Sequence, residues 1–393
     1  MSDDWKRQID RAHAALVRRD DPTSWVTEAD AMDAFDRFPR LAVRGPAFGI
    51  AQQDPRTDAH WRLLLPVTDS TPQMARDGLN SHLWFKAKDD TDEPAVRRAL
   101  LDAVAVLERE PVNELEVLGV RYRVVRGDEF TRIDDDGPEP PRPTDREPVA
   151  PSWENGHRDP LADPGYVLTP GQHDTSPATA ALRLGLRGFT YTGERFPADV
   201  RADSERALVT HLDITLLPTA FCTVERGRRG WKPHGTLQPT PHDSRRLLYD
   251  AMTETWPLIY RFDDEKRAVY RRAAEEFRSA GRANEVRVDD TLFRICRVER
   301  LMRSGPDGPE PPRPSDHDDQ GPMKMHPTMD EHGTLHYSEE SAGPESQDPV
   351  RGRDRRGGAE VVCTCAGRRR AVRRFGAGGS RAGRAVRDRG EGP

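Results

Sequence analysis

Asp136-Gly137-Pro138-Glu139-Pro140-Pro141-Arg142-Pro143 occurs twice in this 393-residue chain. It returns as Asp307-Gly308-Pro309-Glu310-Pro311-Pro312-Arg313-Pro314. The match extends upstream in step. Thr71-Pro72 returns as Thr240-Pro241, and Ala47-Phe48 as Ala220-Phe221. Tyr122-Arg123-Val124-Val125-Arg126 returns as Phe293-Arg294-Ile295-Cys296-Arg297, and Trp61 as Trp231. A period of about 170 residues is far longer than a solenoid repeat, so it reads as a duplicated domain.

Working outward from the arms, each copy carries the same order of signals. A helix comes first, at Glu28 to Phe38 and at Ala198 to Val209. Two apolar runs follow, Leu41 to Ile50 with Trp61 to Val67, and Ile214 to Val224 with Trp231 to Leu237; they read as strands. Thr71 and Thr240 are N-caps with Pro at the first helical position. The first helices place Met74, Leu79 and Leu83, and Leu248, Met252, Trp256 and Ile259, on one face each. The second helices do so with Val96, Leu100, Ala103, Val104 and Leu107, and with Tyr270, Ala273, Ala274 and Phe277. Each copy ends in a hairpin, turning at Leu118-Gly119 and at Asp289-Asp290. Apolar residues alternate with Arg121 and Arg123, which predicts one wet face. The Pro-rich arm then ends the unit.

This reading gives an α+β fold of two homologous units in tandem, facing each other with pseudo-twofold symmetry. The expected divisions are residues 1–145, a linker at 146–179, a second unit at 180–318, a Met/His closing segment at 319–338, and a tail at 339–393. The Pro, Asp and Gly of Thr144 to Thr179 predict no core. Leu182 to Thr192 reads as a strand entering copy two, with Ala14 to Arg18 as its partner in copy one. The tail is Arg-, Gly- and Ala-rich with few aliphatics, the composition of a disordered segment.

The formal net charge is −6, and the tail is basic, so the body is acidic. That speaks against nucleic-acid binding by the folded part, where phosphate contacts need clustered cations. No apolar run reaches the ~20 residues of a membrane span, and the N-terminus has no signal-peptide pattern. A cytoplasmic protein is expected. Cys222 and Cys296 read as small core residues without a partner.

No Walker loop, dinucleotide fingerprint, H-E-x-x-H or G-x-S-x-G occurs, and the reading calls for no cofactor and no metal. Met323, Met325 and Met329 with His326, His332 and His336 are soft donors, but docking explains them better than copper. His242-Asp243 and His234 read as structural. Trp84-Phe85 and Trp256 are candidates for the contact between copies. The candidate ligand-binding residues are Arg123, Arg126, Arg294, Arg297 and His326. The four arginines repeat between copies, and a guanidinium is a fixed, bidentate anion donor.

Gly45-Pro46 with Phe48-Gly49, the run Leu79-Asn80-Ser81-His82-Leu83-Trp84-Phe85, the first arm, Arg245-Arg246-Leu247-Leu248-Tyr249-Asp250 and Gly321-Pro322-Met323-Lys324-Met325-His326-Pro327 carry a family resemblance. Together they resemble an actinobacterial family of unknown function, from Met1 to about Ser338. The resemblance implies a bacterial, cytoplasmic protein and transfers no activity, cofactor or catalytic residue.

The expected function is non-enzymatic: a binding or protein-interaction scaffold with its site in the cleft between the units. Its partner is a protein or a small anionic ligand, and the molecule is a pseudo-dimeric monomer or a homodimer. An enzyme acting on a small anion, with Arg123, Arg294 and His326 or His234, is the first alternative. RNA association through the basic tail is the second.

Overall fold

A computed structural model describes residues 22–149, 151–154, 160–174, 176–228 and 230–337. The tail read as disordered and the strand expected at Ala14 to Arg18 lie outside the described residues. The protein is α+β, built on one ten-stranded sheet in which the strand pairs run antiparallel.

The first half holds α1 (Pro22–Arg37), β1 (Arg40–Asp54), β2 (Asp58–Asp69), α2 (Pro72–Asp89), α3 (Pro94–Leu107), β3 (Glu114–Val117) and β4 (Val120–Ile133). After α4 (Pro177–Leu186), the second half runs α5 (Ala198–Thr210), β5 (Asp213–Leu216), β6 (Ala220–Gly227), β7 (Gly230–Gln238) and α6 (Pro241–Asp250). It continues with α7 (Trp256–Ile259), α8 (Asp264–Ser279), β8 (Glu285–Val288), β9 (Thr291–Gly305) and β10 (Gly308–Pro309). A small hairpin, β11 (Thr328–Met329) and β12 (Leu335–His336), follows.

The main strand order is β2-β1-β4-β9-β6-β7. The two long hairpin strands meet in the middle, from Gly127 opposite Met302 to Phe130 opposite Glu299. Backbone hydrogen bonding therefore passes from one half to the other, and the halves share a sheet.

Local sequence explains the elements. Thr71 and Thr240 cap α2 and α6 by accepting from the amides of Met74 and Asp243, with Pro at the first helical position. Leu118 and Gly119 both take positive φ, 53° and 79°, the geometry of a two-residue hairpin turn. Helices cover the sheet face bearing Tyr122, Val124, Phe293 and Ile295. On the opposite face Val125, Cys296, Val298 and Met302 are covered by Leu161, Tyr166, Leu168 and Leu217.

Several expectations need correction. The stretch from Thr144 to Thr179 does carry core: Leu168 is buried and Asp163 fully so, bound to Arg300 and to the Val67 amide. Leu182 to Thr192 is not a strand. Ser176 caps a helix there, with Pro177 opening it, so the start signal lies inside the linker. Ile214 to Val224 breaks into β5 and β6 at Pro218, which has no N–H for a ladder. Met74 and Ile259 are exposed, although their neighbours on the pattern are buried. A π-turn at Ala251–Thr255 precedes Pro257 and rotates the helix face, since proline cannot donate the next helical bond. Among the described residues no helix is long and apolar enough to cross a membrane.

Candidate functional site

The two Pro-rich arms cross over. The first arm lies on the second half: Arg294 Nη1 donates to the Pro138 carbonyl (3.0 Å) and the Arg297 amide to the Glu139 carbonyl (2.9 Å). The second arm lies on the first half: Arg123 Nη1 donates to the Pro309 carbonyl (2.9 Å) and the Arg126 amide to the Glu310 carbonyl (2.9 Å). Gly137 packs against Trp231 and Gly308 against Trp61, with φ of +135° and +115°. A Cβ at either place would run into the indole, so glycine is required twice over. The Arg123 and Arg294 guanidiniums sit 4.9 and 4.7 Å over Trp61 and Trp231 and pair with Glu114 and Glu285. The face carrying Arg123, expected to be wet, is covered by the exchanged arm.

Past each arm the matching continues. Arg76 holds Asn113 and Asp318; Arg245 holds Asn284 and Glu147. The amides of Gln73 and His242, in the first turns of α2 and α6, donate to the same Asp318 and Glu147. Asp30 on α1 accepts from the Thr144 amide and Asp203 on α5 from the Ser315 amide. Each arm is thus pinned by a strand, a helix cap and a second helix.

Two guanidinium centres result. Arg126, on β4, is almost wholly buried and reaches Asp128 (2.8 Å) and Asp316 (3.0 Å). Burial opposes its charge, but the two carboxylates outweigh it and hold the group firmly protonated. The Tyr191 hydroxyl closes this centre, donating to Asp128 and accepting from Arg126 Nη2 (3.4 Å). Its ring stacks on Phe196 at 4.6 Å, and its amide donates to Ser204 Oγ on α5. Burial foremost, then the Asp128 charge, pushes the phenol well above its ordinary range.

Arg297, on β9, reaches Asp145 (3.2 Å), Thr219 Oγ1 (2.9 Å) and Glu299. It is also held charged, burial being outweighed by Glu299 and Asp145. Beside it is a cavity of about 250 Å3 instead of a phenol. Ala31 and Phe35 of α1, Arg142 of the first arm, Arg183 of α4, and Thr215 and Glu299 contribute to its wall. Four polar atoms of these residues are buried with no hydrogen-bonding partner: Arg142 Nη2, Arg183 Nη1, Thr215 Oγ1 and Glu299 Oε2. Arg183 and Thr215 are each 2% exposed. The remaining N–H groups of Arg183 are held by Asp174 (2.9–3.1 Å), and Arg142 Nε by Glu139 (2.6 Å). Each of these guanidiniums already has a carboxylate partner, and the four unpartnered atoms lie beneath the accessible wall, which is mixed polar and apolar.

The structure does not gather the candidates from sequence. Arg123 and Arg126 belong to the second arm's contacts, Arg294 and Arg297 to the first's. His326 lies elsewhere, stacked on Trp84 at 4.6 Å and bonded to Ser81, with burial lowering its pKa. Trp84 also donates to the Pro327 carbonyl, so it anchors the closing segment rather than joining the halves. Trp256 likewise packs within its own half, against Phe293 and His234. Met329 is buried, while Met323 and Met325 are exposed. His242 bonds the Ser152 carbonyl, and Asp243 the Thr240 cap. Cys222 and Cys296, read as partnerless, face each other across β6 and β9 with their sulfurs 3.4 Å apart. The hydrogen bond from Cys222, then burial, raises the Cys296 pKa. Among the described residues no group of three or more His, Cys, Asp or Glu comes together as metal ligands.

Sequence reasoning missed Arg183, Thr215 and Glu299. A signal for one was present: Arg126-Gly127-Asp128 and Arg297-Val298-Glu299 repeat an arginine with an acid two places on. A sequence profile described as a family of unknown function (DUF5954) matches residues 21–319. The chain belongs to this family. No curated protein and no solved structure matches it. The family match spans both arms and every residue named on the cavity wall.

Proposed function

We propose that this DUF5954 protein is a non-enzymatic binding scaffold, made by duplication of one α+β unit, whose site is the cavity beside Arg297. The matched contacts of the two arms support the duplication. So does the central ladder, in which Glu129 faces Arg300. These two residues stand 171 places apart, the same offset as the arms, so a twofold axis through that pair would carry β4 onto β9. The cavity draws its wall from both halves, as a site between duplicated units should. The unjoined thiols of Cys222 and Cys296 support a reducing, cytoplasmic setting.

The observation that carries the reading is the cavity itself, walled by residues of both halves, with buried, unpartnered polar atoms on Arg142, Arg183, Thr215 and Glu299 beneath its surface. Buried polar groups are nearly always hydrogen-bonded, and each exception calls for an explanation. A small anionic ligand that shifts Arg142 and Arg183 on entry would give the N–H groups left over by Glu139 and Asp174 an acceptor. At about 250 Å3 the space equals about eight waters of liquid volume. That is below the ~300–1,000 Å3 usual for drug-sized ligands.

Native mass spectrometry of gently purified protein tests the proposal. Wild type should carry a small organic anion, and Ala31→Leu, which fills the cavity wall, should not. A wild-type protein free of small molecules, whose melting temperature no small carboxylate raises, would remove the reading.

A further inference from the structure

Each half turns a corner between its two sheet-covering helices, α2 to α3 in the first and α6–α7 to α8 in the second, but the corners are finished differently. The second half holds one more residue there, from Pro241 to Asp264 against Pro72 to Pro94. The π-turn at Ala251–Thr255 takes up that residue, because an i→i+5 turn carries one residue more than an α-turn. Counted back from the next helix, Leu258-Ile259-Tyr260 stand where the first half has Lys88-Asp89-Asp90. Pro257 and Ala87, one place earlier, are both buried, so the registers agree. Lys88, Asp89 and Asp90 are exposed, as charged residues should be. Leu258, Ile259 and Tyr260 are exposed as well, at 79%, 61% and 60%. Three adjacent large apolar side chains lay open an area on the order of a few hundred Å2, the size at which an exposed patch marks an interaction site. In the first half the closing segment reaches the corner, where Arg97 donates to the carbonyls of Glu331, Ala87 and Thr91. Among the described residues no segment does the same for Leu258 to Tyr260.

We propose that this patch is the contact between two copies of the chain, related by a twofold axis through Leu258, Ile259 and Tyr260. Glu254 lies about one helical turn before Leu258, and Arg261 follows Tyr260. Both are exposed, and neither has an ion-pair partner among the described residues. The patch therefore has an acid at one end, a base at the other and an apolar centre. A half-turn exchanges the ends, so apolar centre meets apolar centre and Glu254 of each copy faces Arg261 of the other. The surface is complementary to itself in charge. An anionic bilayer would instead set its own charge against Glu254. The apolar area falls short of the ~800 Å2 per partner of a standard interface, so the association is weak and depends on concentration. The proposal is independent of what the cavity beside Arg297 holds.

Sedimentation velocity of the full chain from about 1 to about 300 μM tests it. Wild type should pass from monomer to dimer as concentration rises, and Leu258→Glu should stay monomeric throughout. Glu254→Arg and Arg261→Glu should each raise the dimer dissociation constant about tenfold or more, because like charges then oppose at both ends of the contact. Combined in one chain, the two changes should restore the dimer, since the same pairs form with their signs exchanged. A wild type that is monomeric at every concentration overturns the proposal. If that monomer floats with phosphatidylcholine–phosphatidylserine vesicles and Leu258→Glu does not, the patch belongs to a membrane instead. A dimer that survives Leu258→Glu overturns the location. Failure of the double variant to recover overturns the twofold pairing of Glu254 with Arg261.

Discussion

Around Arg126 the phenol of Tyr191 completes the hydrogen bonding, while beside Arg297 a cavity leaves Glu299 Oε2 without a partner. Both centres stand in the same frame of long strand, exchanged arm and flanking helix. One is built as a finished piece of core, in which a buried charge meets two carboxylates and a hydroxyl. The other keeps its ion pairs but leaves donors and an acceptor unspent. On the proposed duplication, one copy of the frame serves stability and the other binding.

Arg126→Met should have the largest effect. It strands Asp128 and Asp316 in the interior and should cost about 3–5 kcal/mol. Arg297→Met should cost at least about 1 kcal/mol less, because Glu299 borders a space that water can enter. Urea denaturation measures both, and equal losses would break the contrast between a closed and an open centre. The arms come next. Gly308→Ala should cost about 3 kcal/mol through backbone strain and overpacking against Trp61. Gly137→Ala should cost less, since Trp231 is the more exposed indole and can yield. Reversal of that order would show the first arm to be the tighter clasp.

A third difference is electrostatic. Asp69 ends β2 just before the Thr71 cap, and Gln238 holds that place before Thr240. Burial, then the charge of Asp77, pushes the Asp69 pKa up to about 6. The folded chain thus holds this proton where the unfolded chain, titrating near 3.9, has lost it. Stability falls as pH rises from about 4 to about 6 and the penalty is complete above that. Asp69→Gln should stabilise by about 2 kcal/mol at pH 7, the full shift being discounted for partial exposure, and by almost nothing at pH 4. A gain independent of pH would mean that burial of Asp69 is not its source. The caps should differ least. Thr71→Ala and Thr240→Ala should each cost about 1 kcal/mol, with Thr240 the costlier because its hydroxyl also bonds the Asp243 carboxylate. Melting temperatures resolve that order.

Much of this fold was legible from short-range signals. Thr-Pro before α2 and α6 marks their starts, because capping needs only three neighbouring residues. Leu118-Gly119 marks a tight turn for the same reason. The long-range pairings were not legible. Asp163 serves Arg300 from 137 residues away, and nothing in a Pro- and Gly-rich stretch announces it. Arg123, Arg126, Arg294 and Arg297 stood out because they repeat. Arg183, Thr215 and Tyr191 did not, because they belong to the segments where the halves differ.

The sequence alone determined the caps, the turns and the two matching arms, since each depends on neighbours along the chain. Only the tertiary structure decided that the arms are exchanged and that one arginine centre is filled while the other is open. Those outcomes depend on which distant side chain arrives at a buried charge, and no local pattern of residues encodes an arrival.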